Sequence, residues 1–175
     1  MTEFVLGGGC FWCTEGVFQR LKGVSQVVSG YAGGRDDMPN YAKVSSGMTG
    51  HAEVVMVTFD ETVLPPEILL DLFFLIHNPT TPNRQGADVG TQYRSLMLYA
   101  NEEQKRQFET AAEHAADSWD EPIVTEIEPL KAFYPAENEH QDYFNQHPEA
   151  SYCQVVIAPK IVKARAAYAQ WFKEG

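Results

Sequence analysis

The sequence predicts an α+β fold: a ferredoxin-like, split βαβ two-layer sandwich core with long irregular loops and an added C-terminal strand and helix. Two patterns point there. The leading elements read β-α-β-β-α-β. The segments 32–50 and 80–93 are aperiodic and marked by glycine or proline, and long loops inside compact domains are usually functional. The chain of 175 residues, 44% apolar and 21% charged, has ordinary globular usage and fits one domain over residues 1–175. A chain of this size buries roughly 68–70% of its unfolded surface, enough for a real core.

Phe4-Val5-Leu6 reads as a short strand running into Gly7-Gly8-Gly9. Phe11, Trp12, Val17, Phe18 and Leu21 then recur at helical spacing up to Gly23. Val24 to Tyr31 is a second strand. His51 to Phe59, apolar on both faces, is a third strand, central in its sheet. Pro65-Pro66 starts a helix that ends at His77-Asn78-Pro79. Ser95 to Tyr99 alternates as a strand. Asn101 then caps a helix with Gln104 at its third position and a buried stripe of Phe108, Ala111, Ala112, Ala115 and Trp119. Ile123 to Ile127 is expected as a strand, Glu137 to Phe144 as a short helix and Tyr152 to Ile157 as a late strand. A last helix starts near Lys160 and turns Ile161, Ala164, Tyr168, Trp171 and Phe172 inward.

With 13 Lys+Arg against 24 Asp+Glu, the net charge is −11. No basic cluster exists to neutralise phosphates, so nucleic acid and anionic membranes are excluded as partners. The longest apolar stretch, Ile68 to Ile76, is broken by Asp71 and is far below the length of a membrane span. The start, Met1-Thr2-Glu3-Phe4, lacks the basic region of a signal peptide. A cytoplasmic protein is expected, and its three cysteines, Cys10, Cys13 and Cys153, are too few and odd in number for a disulfide framework.

Cys10 falls where a strand turns through glycines into a helix. Unsatisfied N–H groups and the positive end of the helix dipole favour an anion there, and such positions lower a thiol pKa to ~3.5–7.5. Cys10-Phe11-Trp12-Cys13 is also a C-x-x-C pair opening a helix. Two readings compete: a dithiol redox pair, as in thioredoxin-like proteins, and half of a zinc site. Zinc would need two more ligands, and His51, His77, His114, His140 and His147 with Cys153 offer no second close pair.

Longer motifs narrow this further. Gly9-Cys10-Phe11-Trp12-Cys13-Thr14-Glu15 resembles the signature of the A-type peptide methionine sulfoxide reductases. The likeness continues through Gly30-Tyr31-Ala32-Gly33-Gly34, Asn40-Tyr41, Ser46-Gly47-Met48-Thr49-Gly50-His51-Ala52-Glu53, His77-Asn78-Pro79 and Gly90-Thr91-Gln92-Tyr93-Arg94-Ser95. It ends with Phe133-Tyr134-Pro135-Ala136-Glu137 and His140-Gln141-Asp142-Tyr143, so that roughly residues 4 to 160 are covered in order.

The resemblance implies reduction of methionine S-sulfoxide, free or in proteins, with one enzyme type per epimer. It makes Cys10 the nucleophile and Glu53 the acid. Glu53 shares a strand face with Val55, Val57 and Phe59, where desolvation raises a carboxyl pKa and keeps it protonated. Tyr41 and Tyr93 match the tyrosines that hydrogen-bond the sulfoxide oxygen, Asp88 a second carboxylate near them, and Phe11 and Trp12 the apolar cage for the S-methyl group. Glu15, a first-turn acid favoured by the dipole, is given no catalytic role. Cys10 would become a sulfenic acid, which condenses with a thiol. Cys13, one turn away, is placed ahead of Cys153, whose surroundings lack the mobile glycine-rich tail of many relatives. Direct attack by an external thiol comes third. Thioredoxin is the implied reductant by thiol–disulfide exchange, and neither metal nor cofactor is implied. A disulfide exchanger or a zinc module needs no proton donor like Glu53 with Tyr41 and Tyr93.

Overall fold

A computed structural model describes residues 1–35, 39–47 and 49–174; Met48, quoted in the motif above, lies outside them. The elements in chain order are β1 (Thr2–Gly7), α1 (Phe11–Phe18), β2 (Val24–Ala32), α2 (Tyr41–Ser45), β3 (Ala52–Phe59) and α3 (Pro66–Ile76). There follow a two-stranded hairpin of β4 (Arg84–Gln85) and β5 (Asp88–Val89), then β6 (Leu96–Tyr99), α4 (Glu102–Ala116), β7 (Glu126–Pro129) and β8 (Phe133–Pro135). The chain closes with α5 (Tyr143–Gln146) and α6 (Ala158–Ala167).

Six strands form one mixed sheet in the order β7-β6-β1-β3-β2-β8. β1 pairs antiparallel with β3 and β6, β2 antiparallel with β3 and β8, and β6 parallel with β7. β3 is therefore central, which is why apolar side chains occupy both its faces. Alternation sorts them. Val55, Val57 and Phe59 join Phe4 and Leu6 in the main core beneath α1, α3 and α4. Val54 and Ala52 join Val5, Leu96 and Leu98 in a smaller core on the other face.

The N-cap of α4 is as expected: Gln104 N–H donates to Asn101 Oδ1 at 2.9 Å, and the Gln104 side chain reaches back to the Ala100 N–H. Trp119 lies beyond that helix, which ends at Ala116. The strand expected at 123–127 forms later, at β7, where Glu126 to Pro129 find partners on β6. The expected helix at 137–144 is instead a 3-10 turn, Asn138–His140, and the short α5, separated at Asp142, whose φ of 55° lies in the left-handed region and breaks the helix. Segment 32–50 contains α2, capped by the Asn40 side chain.

The expected C-terminal strand is overturned. Cys153–Ile157 is a widened, π-type helical stretch leading straight into α6. The buried positions Cys153, Ile157, Ile161 and Ala164 recur every three or four residues, whereas a strand would alternate. Pro159, two residues into α6, has no N–H and crowds the carbonyl four residues earlier, and the widened turn just before it accommodates both. α6 ends at Ala167; Phe172 is buried, in a bridge to Leu21, while Tyr168 and Trp171 are half-buried. No helix of the described residues is long and apolar enough to cross a membrane.

Candidate active site

The glycine turn delivers Cys10 to the mouth of α1. Gly9 has φ +91°, a conformation that L side chains rarely adopt, and a Cβ there would meet Gln85 Cγ at 2.8 Å. Cys10 is extended (φ −61°, ψ 128°) at the N-cap, and its carbonyl accepts from Cys13 N–H at 3.1 Å. Cys10 is 9% exposed and Cys13 2%.

Electrostatics corrects the expectation of an acidified Cys10. Burial pushes its thiol well above the ordinary range, with the hydrogen bond to Cys13 and the charge of Glu53 adding to the rise; the Trp12 backbone N–H opposes it. The acidified sulfur is its neighbour. The hydrogen bond from Cys10 is the first cause bringing Cys13 down to about 7, against burial, with Lys160 and the Tyr152 hydroxyl helping.

β3 brings Glu53 to the same point. Phe11 N–H donates to Glu53 Oε1 at 3.1 Å, while Oε2 is buried without a partner. Burial raises this carboxyl to about 8, only partly opposed by the Phe11 N–H, and Cys10 lies within its hydrogen-bonding reach. Glu53 is therefore a neutral acid at pH 7, as its strand face predicts. Tyr41 and Tyr93 lie close enough to feel its charge. Burial and then the Glu53 charge raise both above the ordinary phenol value, so both remain O–H donors. Tyr41 comes from the start of α2 and Tyr93 from a 3-10 turn, Thr91–Tyr93.

Aromatic rings wall the site. Trp12 stacks on Tyr143 with centroids 3.8 Å apart, runs parallel to Tyr41 at 6.5 Å and meets Tyr152 edge-on at 5.8 Å. Phe11 is fully buried beneath, 5.7 Å from Tyr31 and from His140. Sequence reading missed Tyr143 and Tyr152 as parts of this wall, and with them the work of Glu15. The buried Glu15 carboxylate accepts from Ser29 Oγ (3.2 Å), Asp142 N–H (3.0 Å) and Tyr143 N–H (3.2 Å), holding the segment that carries Tyr143. Local sequence gives no sign of this: the partners lie 127 and 128 residues away.

On the other side of the thiol pair, a cavity of about 400 Å³ is lined by Cys10, Cys13, His77, Asp88, Tyr152 and Lys160. Asp88 accepts from Tyr152 Oη at 2.9 Å. Cys153 is fully buried under Cys13, and burial and the Cys13 charge raise its thiol pKa. All three cysteines are free thiols. Among the described residues one group of metal-type side chains converges, Glu137, Glu139 and His140, within 4.8 Å. It includes no cysteine, and Glu137 is already engaged by Tyr31 Oη and Tyr41 N–H. The C-x-x-C pair thus gains no third zinc ligand among the described residues.

A mixed sheet that holds a thiol pair against a neutral buried carboxyl and two phenols defines an oxidoreductase. Comparison with known proteins specifies which. The family described as peptide methionine sulfoxide reductase matches residues 2–172. Peptide methionine sulfoxide reductase MsrA of Pseudarthrobacter chlorophenolicus is 58% identical over 171 residues, covering 98% of each chain. Among solved structures, Mxr1 from Saccharomyces cerevisiae in reduced form superposes with a TM-score of 0.80 at 36% identity, over 87% of this chain and 88% of that one. Mxr1 in complex with Trx2 superposes at 0.56 with 28% identity, over 81% and 84%. The chain belongs to the peptide methionine sulfoxide reductase family, in its A type.

Proposed function

We propose that this protein reduces methionine S-sulfoxide, free or in proteins, to methionine through a cysteine sulfenic acid on Cys10. The observation that carries the reading is Glu53: a buried, protonated carboxyl whose Oε2 has no partner, beside a thiol. A sulfoxide oxygen lacks only a proton donor to become a leaving group, and this is one. Tyr41 and Tyr93 add two O–H donors, and together the three groups stabilise negative charge as it builds on oxygen.

Cys10 attacks the sulfoxide sulfur as its proton passes to Cys13, the acceptor of its hydrogen bond. The oxygen, protonated by Glu53, ends on Cys10; the substrate sulfur gains two electrons and Cys10 loses two. Phe11 and Trp12, with Tyr143 stacked on the latter, support an apolar seat for the S-methyl group. Asp88 stays in the catalytic set through its bond to Tyr152. Resolution is assigned to Cys13, hydrogen-bonded to Cys10, ahead of Cys153, which is fully buried in a helical turn. The Mxr1 complex with Trx2 supports a thioredoxin as the reductant of the Cys10–Cys13 disulfide. Three free thiols support a reducing, cytoplasmic setting. The order β6-β1-β3-β2 with all neighbours antiparallel supports reading the core as the split βαβ arrangement of one domain.

A reductant-coupled assay with racemic methionine sulfoxide tests the reading. Consumption should stop at about half with the R epimer left over, and Cys10→Ser should consume none. Absence of sulfoxide-dependent turnover, or turnover by Cys10→Ser, refutes it.

A further inference from the structure

Tyr152 joins the cysteine pair to a carboxylate. Its hydroxyl donates to Asp88 Oδ2 at 2.9 Å and lies 3.7 Å from Cys13 Sγ. A phenol has one proton and two lone pairs, so an oxygen that donates to Asp88 is free to accept from the Cys13 thiol. The three groups form a continuous path, Cys13 S–H to Tyr152 O–H to Asp88. The ring is held in place by its edge contact with Trp12 at 5.8 Å and by the buried Cys153 that follows it.

We propose that Tyr152 is a further catalytic residue acting in the resolving step: it takes the proton of the Cys13 thiol while passing its own to Asp88. The proposal rests on the reading of Cys13 as the resolving cysteine. Cys13 leaves the first step carrying the proton of Cys10, and the thiolate is the nucleophile. As Cys13 Sγ bonds to Cys10 Sγ, the Cys10 S–O bond breaks. The hydroxyl leaves as water with a second proton from Glu53, which solvent has reprotonated after the first step, and the Cys13 proton passes through Tyr152 to Asp88, which returns it to solvent. The sum is one sulfenic acid and one thiol giving one disulfide and one water. The titratable groups facing Cys13 are Cys10 before α1, Glu53 on β3, Asp88 on β5, Tyr152 and Cys153 at the helical turn and Lys160 on α6. Of these, Tyr152 has the hydroxyl that reaches both the sulfur and a carboxylate oxygen.

The test is a single turnover with one equivalent of methionine sulfoxide and no reductant, following methionine release and disulfide formation separately by rapid quench and mass spectrometry. In Tyr152→Phe the disulfide rate, relative to the methionine rate, should fall at least about tenfold near neutral pH. The deficit should shrink toward about pH 9, where solvent takes the thiol proton unaided. Asp88→Asn should show the same relative deficit with the aromatic packing intact, and the double variant should be no slower than either single one. An unchanged relative rate, or a deficit that is constant with pH, overturns the proposal while Cys10–Cys13 pairing stands. A Cys10–Cys153 disulfide in the unaltered protein removes the Cys13 reading itself, and the proposal with it.

Discussion

Glu53 shows how position sets the state of a side chain. On a central strand beneath α1 its carboxyl has one N–H donor, from Phe11, and nothing at Oε2, so neutrality is its low-energy form. Burial lifts it to about 8, which makes the chemistry depend on the protonated fraction. Reduction of the sulfoxide in single turnover should therefore hold below that value and decline as pH rises through it. Glu53→Gln should slow methionine formation by roughly 10²–10⁴ and abolish that descending limb. Linkage fixes the sign for stability as well. A carboxyl raised on folding contributes stability that is fully present below its ordinary range and is lost as pH rises through about 8. The Tm of Glu53→Gln should therefore gain on that of the unaltered protein as pH is raised from about 5 to about 9; a constant difference would contradict the assignment.

Between elements, α1 and the segment after β8 meet through Glu15. One carboxylate accepts from Ser29 on β2 and from two backbone N–H groups at Asp142 and Tyr143. Its removal leaves buried donors unpaired and frees the ring on which Trp12 rests. Glu15→Ala should cost about 1–3 kcal/mol in denaturant unfolding and raise KM for the sulfoxide more than it lowers kcat. Neither part of this role was legible in the sequence, where Glu15 is simply a first-turn acid. The elements themselves were largely legible: the glycine turn into α1, the two-faced β3, the prolines opening α3 and the Asn101 cap each carry their own local chemistry. The late strand was misread because Tyr152 to Ile157 is rich in β-branched residues, and propensity yields to burial at helical spacing when α1 lies opposite. At the site, Cys10 was legible as a position and not as a pKa, because the burial that raises its thiol comes from elements distant in sequence.

At the scale of the molecule, the sheet has two faces of unequal weight. Helices cover the face that carries Glu53, and a smaller core closes the other. The end of the chain fastens the helical layer. Lys22 N–H donates to Trp171 O, Lys173 N–H to Arg20 O, and Phe172 is buried at 3% exposure next to Leu21. That closure lies at the end of α1 opposite its cysteines. Phe172→Ala should lower unfolding stability by about 3–5 kcal/mol while leaving the KM of the remaining folded protein near its original value. A shift in KM would show that the end of the chain reaches the site. The net charge of −11 leaves acidic side chains in excess, and Arg94 pairs with Glu126 at 3.3 Å.

The stack of Trp12 on Tyr143 has an optical consequence. An indole held parallel to a phenol at 3.8 Å, one of the two residues between Cys10 and Cys13, should change its emission when those sulfurs change state. Thiols quench excited indoles and disulfides quench them differently, so Trp12 is a built-in fluorophore for the catalytic cycle. Trp171 lies near the far end of α1, whereas Trp119 lines the cavity beside the thiol pair, so the spectrum of Trp12→Phe is needed to separate the Trp12 signal from both. Each turnover should then be visible as a change in tryptophan emission in stopped flow, and the change should be lost in Trp12→Phe.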